Sequence, residues 1–101
     1  MANRNPEFPG GIDALLAYVD QHSTYPIEAA QAAITGKVFI SFIVSKTGDV
    51  TNVSVLQGLG YGCDEEAVRL VREMPRWIPG KQNDEYVNVK YTLPVSFGTG
   101  N

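Results

Sequence analysis

His22 and Cys63 are the only histidine and the only cysteine in the chain, and so its natural candidates for a base and a nucleophile. They fall in separate loops, and no third residue is placed to orient a base. A helix N-terminus can lower a thiol pKa, but Asp64, Glu65 and Glu66 beside Cys63 oppose a thiolate. These consecutive acids point in different directions on a helix and lack the spacing of metal ligands. They suit the positive end of a helix dipole instead. Arg69, Arg72 and Arg76 share a helix face that could hold an anionic glycan or peptide. Glu65 lies four residues before Arg69, a good i,i+4 pair, so a solvated face is the plainer reading. Trp77 could be a stacking platform, but a lone tryptophan just after a buried helix more often plugs the core. No catalytic residue, no metal ligand and no cofactor is expected, and the chain is not expected to be an enzyme.

The residues that point to a function lie in the last strand. Val87, Val89, Tyr91, Leu93, Val95 and Phe97 recur at every second position, the period of a strand buried on one face. Proline has no N–H for a ladder and is confined mostly to edge strands, strand ends and bulges, so Pro94 marks this strand as an edge. An open edge is a docking site for another chain. In an antiparallel ladder the N–H and C=O of one residue point to the same side, and successive residues alternate. If the strand is unbulged, Asn88, Lys90 and Thr92 share the direction of Pro94 and face a partner, while Val87, Val89, Tyr91 and Leu93 bond inward. A bulge between Lys90 and Pro94 would reverse that assignment.

The bulk properties narrow the field. A chain of 101 residues suits one domain, and 44% hydrophobic with 19% charged residues is ordinary for a folded protein. A net charge of −3 and a pI near 4.9 offer no basic surface for a phosphate backbone, so no nucleic-acid partner is expected. No apolar run approaches the roughly 20 residues of a membrane-spanning helix.

The remaining elements must position that edge. Pro6 to Gly11 is rich in breakers, and residues 1–11 read as a flexible leader. Ile12, Leu15, Leu16 and Val19 form an amphipathic stripe, predicting a helix over about 12–21. A short helix is expected from Ile27 to Ala33. Residues 37–46 and 50–57 are strands joined by the Thr47-Gly48 turn. If Lys46 closes on Asp49, the register pairs Phe42 with Val53 and Ile40 with Val55. Gly58-Leu59-Gly60-Tyr61-Gly62 is a loop without a phosphate-binding signature. A helix follows over about 64–74, ended by Pro75, and residues 98–101 read as a tail. Treated as a crossover, that helix brings the third strand beside the first. The expected fold is α+β, a two-layer sandwich of a three-stranded antiparallel sheet in the order 2-1-3. Its helices pack on one face.

An ordered series of segments resembles the C-terminal domain of TonB energy transducers. It comprises Tyr25-Pro26, Gly36-Lys37-Val38, Thr47-Gly48-Asp49-Val50, Ala67-Val68-Arg69, Met74 to Asn83 and Val89 to Phe97. The Pro6-to-Gly11 opening with an added helix is similar to one branch of that family. The resemblance spans about residues 6 to 97, and the domain is expected at 12–97. It implies a periplasmic domain whose full-length protein is anchored in the inner membrane and driven there by motor proteins. It implies a partner, the TonB box peptide of outer-membrane receptors that import siderophores, cobalamin or glycans. That peptide adds as a strand along Val87, Asn88, Val89, Lys90, Tyr91, Thr92 and Leu93, with His22, Ser23 and Thr24 approaching it. Without a membrane helix and linker, the chain is expected to be a fragment. The same edge could join two copies in a homodimer. The alternative is an envelope interaction domain, peptidoglycan-binding or attached to a sensor peptidase, with no receptor peptide.

Overall fold

The computed structural model describes residues 3–98. In chain order its elements are α1 (Ile12–His22), α2 (Ile27–Gln31), β1 (Gly36–Val44), β2 (Val50–Gln57), α3 (Cys63–Arg72), β3 (Gly80–Gln82), β4 (Glu85–Val87) and β5 (Val89–Phe97). The main sheet is antiparallel in the order β2-β1-β5, so the expected 2-1-3 order holds, with β5 as its third strand. This is the expected α+β sandwich. The core joins Val38, Ile40, Phe42 and Val44 of β1 and Leu93, Val95 and Phe97 of β5 to Leu15, Ala67, Leu70 and Val71 from the helices. β1 lies in the middle because it is apolar on both faces. Its second face carries Phe39 and Ile43, both half-buried, and Ser41, whose hydroxyl pairs with that of Ser54 at 3.1 Å.

The β1–β2 hairpin closes one residue earlier than expected. The Ser45 N–H donates to the Asp49 carbonyl at 2.9 Å and the Gly48 N–H to the Ser45 carbonyl at 2.8 Å, so Lys46, Thr47 and Gly48 form a three-residue loop. Val44 then opposes Val50 and Ile43 opposes Thr51. Asn52, at φ 53°, forms a bulge that restores the offset, and Ile40 opposes Val55 as predicted. Asparagine is among the few residues that tolerate the left-handed region. Val55 stays 37% exposed at the rim of α3.

The final strand also departs from expectation. Residues 86–97 are not one strand, because Asn88 interrupts them and its Oδ1 accepts the Lys46 N–H at 2.8 Å. Val87 belongs instead to a separate β3–β4 hairpin, where it opposes Gly80. Asn83 and Asp84 turn that hairpin, both at positive φ, 53° and 68°, as a two-residue turn of the mirror-image type requires. The segment read as a leader is built into the fold from Arg4 onward. Arg4 bridges to Lys81 and Glu7 to Ile78 through backbone hydrogen bonds of 2.8–2.9 Å, and Phe8 is buried.

Trp77 ties these pieces together. It is 2% exposed, with Phe8, Phe42 and Tyr91 at ring-centroid distances of 5.6, 5.6 and 5.0 Å, all near edge-to-face. Its backbone N–H donates to the Gly48 carbonyl at 2.8 Å. Gly48 has φ 89°, and a Cβ there would overlap the Trp77 carbonyl oxygen. The turn and the tryptophan segment therefore pack backbone to backbone, and only glycine permits it. Gly48→Ala is expected to destabilise the domain by about 2 kcal/mol or more, combining left-handed strain with a backbone clash. Thermal or urea melting checks this, and a variant within about 0.5 kcal/mol of the parent contradicts it.

Candidate peptide-binding edge

β5 pairs with β1 on one side only and forms one border of the sheet. The pairing runs without a register shift from Gly36–Phe97 to Val44–Val89, and Pro94 stands opposite Phe39. Proline has no N–H to give, so Pro94 occupies a position of the ladder that does not bond to β1. Parity then assigns the rest. Val89, Tyr91, Leu93, Val95 and Phe97 bond inward, while Lys90, Thr92, Pro94 and Ser96 turn their backbone groups outward. These four are exposed, and Leu93, Val95 and Phe97 are buried.

The outer edge is not bare surface. α1 runs beside it and forms a groove of about 460 Å³ with Leu16, Ala17, Val19, Asp20 and Ser23 facing Pro94 and Ser96. Nearer Tyr91 a second cavity of about 310 Å³ opens between Phe8, Ile12, Leu15 and Trp77. The helical stripe of α1 is wider than the core requires. Leu15 is buried and Val19 half-buried, but Ile12 and Leu16 remain 59% and 57% exposed on the groove side. These groove residues were missed as site residues because their apolar spacing is that of a core stripe. The surplus apolar width was the signal that could have found them.

The sequence-predicted residues divide clearly. Val89, Lys90, Tyr91, Thr92 and Leu93 lie on β5 as expected. Val87 lies on β4, and Asn88 is committed to the Lys46 N–H, so neither extends the edge. Of the segment 22–24, Ser23 lines the groove. His22 is exposed and folds back along its own helix, with Nδ1 3.0 Å from the Tyr18 carbonyl and its ring stacked on Tyr18 at 4.5 Å. The Thr24 N–H donates to Glu66 at 2.7 Å. Arg69 and Arg72 line one cleft along α3, and Arg76 does not join them. Arg69 binds Glu66 at 2.6 Å and Glu73 at 2.9 Å rather than Glu65, and donates to the His22 carbonyl at 2.9 Å. Arg76 lies beyond α3 and pairs with Asp49 at 3.2 Å. Cys63 is fully buried, and burial followed by the charges of Asp64 and Glu65 pushes its thiol pKa up, the reverse of activation.

The family described as Gram-negative bacterial TonB protein C-terminal matches residues 21–99. The chain belongs to that family. No match was found among curated proteins or among solved structures. The TonB-like segments now have places. The Tyr25 hydroxyl donates to the Ile34 carbonyl at 2.5 Å and fastens α2 to the start of β1. Thr47-Gly48 and Trp77 form the backbone contact described above. Pro94 sets the polarity of β5. The segment 4–20, which supplies most of the groove wall, precedes the matched region.

Glu66 ties α3 to the segment after α1 by accepting the Thr24 N–H, and it also holds Arg69, which donates to the His22 carbonyl. The Arg69 hydrogen bond, aided by Thr24 and the arginine charge and opposed by burial, lowers the Glu66 pKa. The tether therefore acts fully above the ordinary glutamate value near pH ~4.3 and is lost as pH falls through the lowered one. Glu66→Gln should cost about 1 kcal/mol at pH 7, since the site is partly solvent-screened. The difference from the parent should vanish in acid. Thermal melts across pH check this, and a deficit that persists in acid contradicts it.

Proposed function

We propose that this chain is the periplasmic, peptide-gripping domain of a TonB-type energy transducer, and that it holds the TonB box of outer-membrane receptors as a strand added to β5. The observation that carries this reading is the open β5 edge, whose unbroken register points Lys90, Thr92, Pro94 and Ser96 outward. Three of the four can offer both a donor and an acceptor, and Pro94 offers only its carbonyl. An extended peptide would receive main-chain bonds at alternate residues, which gives affinity with little demand on sequence. The working arrangement is an inner-membrane anchor with motor proteins acting through preceding sequence. Force reaches the receptor through the added strand and drives import of siderophores, cobalamin or glycans.

A pull along the strand axis loads every ladder bond together. The β1–β5 ladder inside the domain has more bonds than the peptide can make, so the peptide should detach before the domain yields. Affinity should be modest. About five bonds at a net 0.5–1.5 kcal/mol each give roughly 3–7 kcal/mol before side-chain contacts. Association and ordering cost several kcal/mol, so a Kd in the micromolar range or weaker is expected.

Proline substitution tests the assignment by parity. Lys90→Pro removes an outward N–H and should weaken peptide binding with the fold intact. Tyr91→Pro removes an inward bond and a ring packed on Phe42 and Trp77, and should unfold or badly destabilise the domain. Thermal melting with calorimetric titration of receptor N-terminal peptides distinguishes them. Equal loss of stability in both variants, or undiminished binding by folded Lys90→Pro, contradicts the reading.

A further inference from the structure

Two cavities border β5, and α1 is a wall of both. Ile12 lines the one beside Tyr91, and Leu16 and Asp20 line the one beside Pro94 and Ser96. α1 therefore runs in the same direction as β5. Ile12, Leu16 and Asp20 stand at i, i+4 and i+8, so they form a single row along the helix. All three are exposed, and none belongs to the core. The row precedes residue 21, where the match to the TonB family begins, so the family likeness does not account for it.

The row and an added strand have nearly the same repeat. Four residues of helix advance about 6.0 Å, and two residues of strand advance about 6.6 Å. Over three side chains the mismatch is only about 1 Å. Neighbouring residues of adjacent strands share a face of the sheet. Side chains beside Tyr91, Leu93 and Val95 therefore turn toward the helix side, where Leu93 and Val95 already meet the core. On that side they meet Ile12, Leu16 and Asp20 in turn.

The row changes character along its length. Its Tyr91 end is apolar. Its Ser96 end carries the Asp20 carboxylate, which forms no salt bridge among the described residues. Glu7 is the other charged residue that lines the two cavities, and it is acidic too. Asp20 also lies in the last turn of α1, the negative end of the helix dipole, which favours a cation. Arg69 donates to the His22 carbonyl at that end, but Glu66 and Glu73 hold its charge.

We infer that the α1 row reads the added strand, selecting an extended segment whose alternate side chains are apolar, apolar and basic, with the basic one at the Asp20 end. This rests on strand addition at β5. Ile12 and Leu16 lose exposed apolar surface to the first two side chains, and Asp20 pairs with a lysine or arginine. The main-chain bonds of the edge require only that a strand binds. The row sets which strand it is and which way it lies.

The test uses acetylated, amidated peptides in two orders, Ser-Val-Thr-Val-Ser-X-Ser and its reversal Ser-X-Ser-Val-Thr-Val-Ser, with X as Lys, Ser or Glu. Each is titrated into ¹⁵N-labelled protein. The amides of Lys90 and Thr92 report strand addition, and those of Leu16 and Asp20 report the row. In one order only, the Lys peptide should bind about fivefold tighter than the Glu peptide in low salt, with Ser between them. That ratio should fall toward one in about 1 M salt. Asp20 is exposed, so Asp20→Lys should fold and reverse the preference. Leu16→Ser, also at an exposed position, should weaken every peptide of that order by about threefold, whatever X is. The same Lys/Glu ratio in both orders, a ratio unchanged by Asp20→Lys, or full binding by Leu16→Ser overturns the row and leaves the edge reading standing. Absence of Lys90 and Thr92 shifts with every peptide overturns both.

Discussion

The nine-pair ladder between β1 and β5 is the constraint on which the other features depend. A side chain in a strand can be moved to the other face only by shifting the register, and a shift of one residue inverts every position. Here Pro94 fixes which parity faces β1, because it cannot serve an inward donor position. The same parity puts Leu93, Val95 and Phe97 into the core and leaves Lys90, Thr92 and Ser96 exposed. Core packing and edge chemistry therefore follow from a single register. A proline is often read as a device against unwanted edge pairing. On β5 it removes one outward donor and keeps the outward carbonyl, which leaves the edge able to pair.

The second organising feature is the aromatic cluster at Trp77. It joins the N-terminal segment through Phe8, the central strand through Phe42 and the edge strand through Tyr91. Its backbone bond to Gly48 adds the β1–β2 turn. Four pieces of the chain thus meet at one end of the β5 edge. That end also carries the cavity lined by Trp77 and Tyr91, so the residue that closes the core is also a wall of the groove.

Much of this was legible in the sequence, and the reasons for the misses are physical. The strict alternation of Val89 to Phe97 and the doubly apolar β1 sufficed for the sheet order. The ordered series of segments from Tyr25-Pro26 to Val89–Phe97, Trp77-to-Lys81 above all, carried the family resemblance that the match over residues 21–99 bears out. The break at Asn88 was not legible, because alternation continues through Val87, and only a side-chain bond to Lys46 from the far end of β1 ends the strand. The β3–β4 hairpin was missed because its strands are three residues long and mostly exposed, so they carry no periodicity. Asn83-Asp84 was its one signal. Pairing of Arg4 and Glu7 uses backbone groups alone and leaves no mark in residue type. The Asn52 bulge corrected a turn placed one residue late, which is why the Ile40–Val55 pairing was right although its stated cause was not.

The central claim is that alternate backbone groups of β5 face outward and take a strand. Native-state amide hydrogen exchange, residue by residue, tests it most directly. Without a ligand, the amides of Tyr91, Leu93, Val95 and Phe97 should exchange slowly, and those of Lys90, Thr92 and Ser96 should exchange at rates close to those of an open chain. A bound receptor peptide should slow the second set selectively and leave the first set unchanged. Uniform protection along β5 in the free domain, or peptide-induced protection of β2 in place of Lys90 and Thr92, would contradict the account.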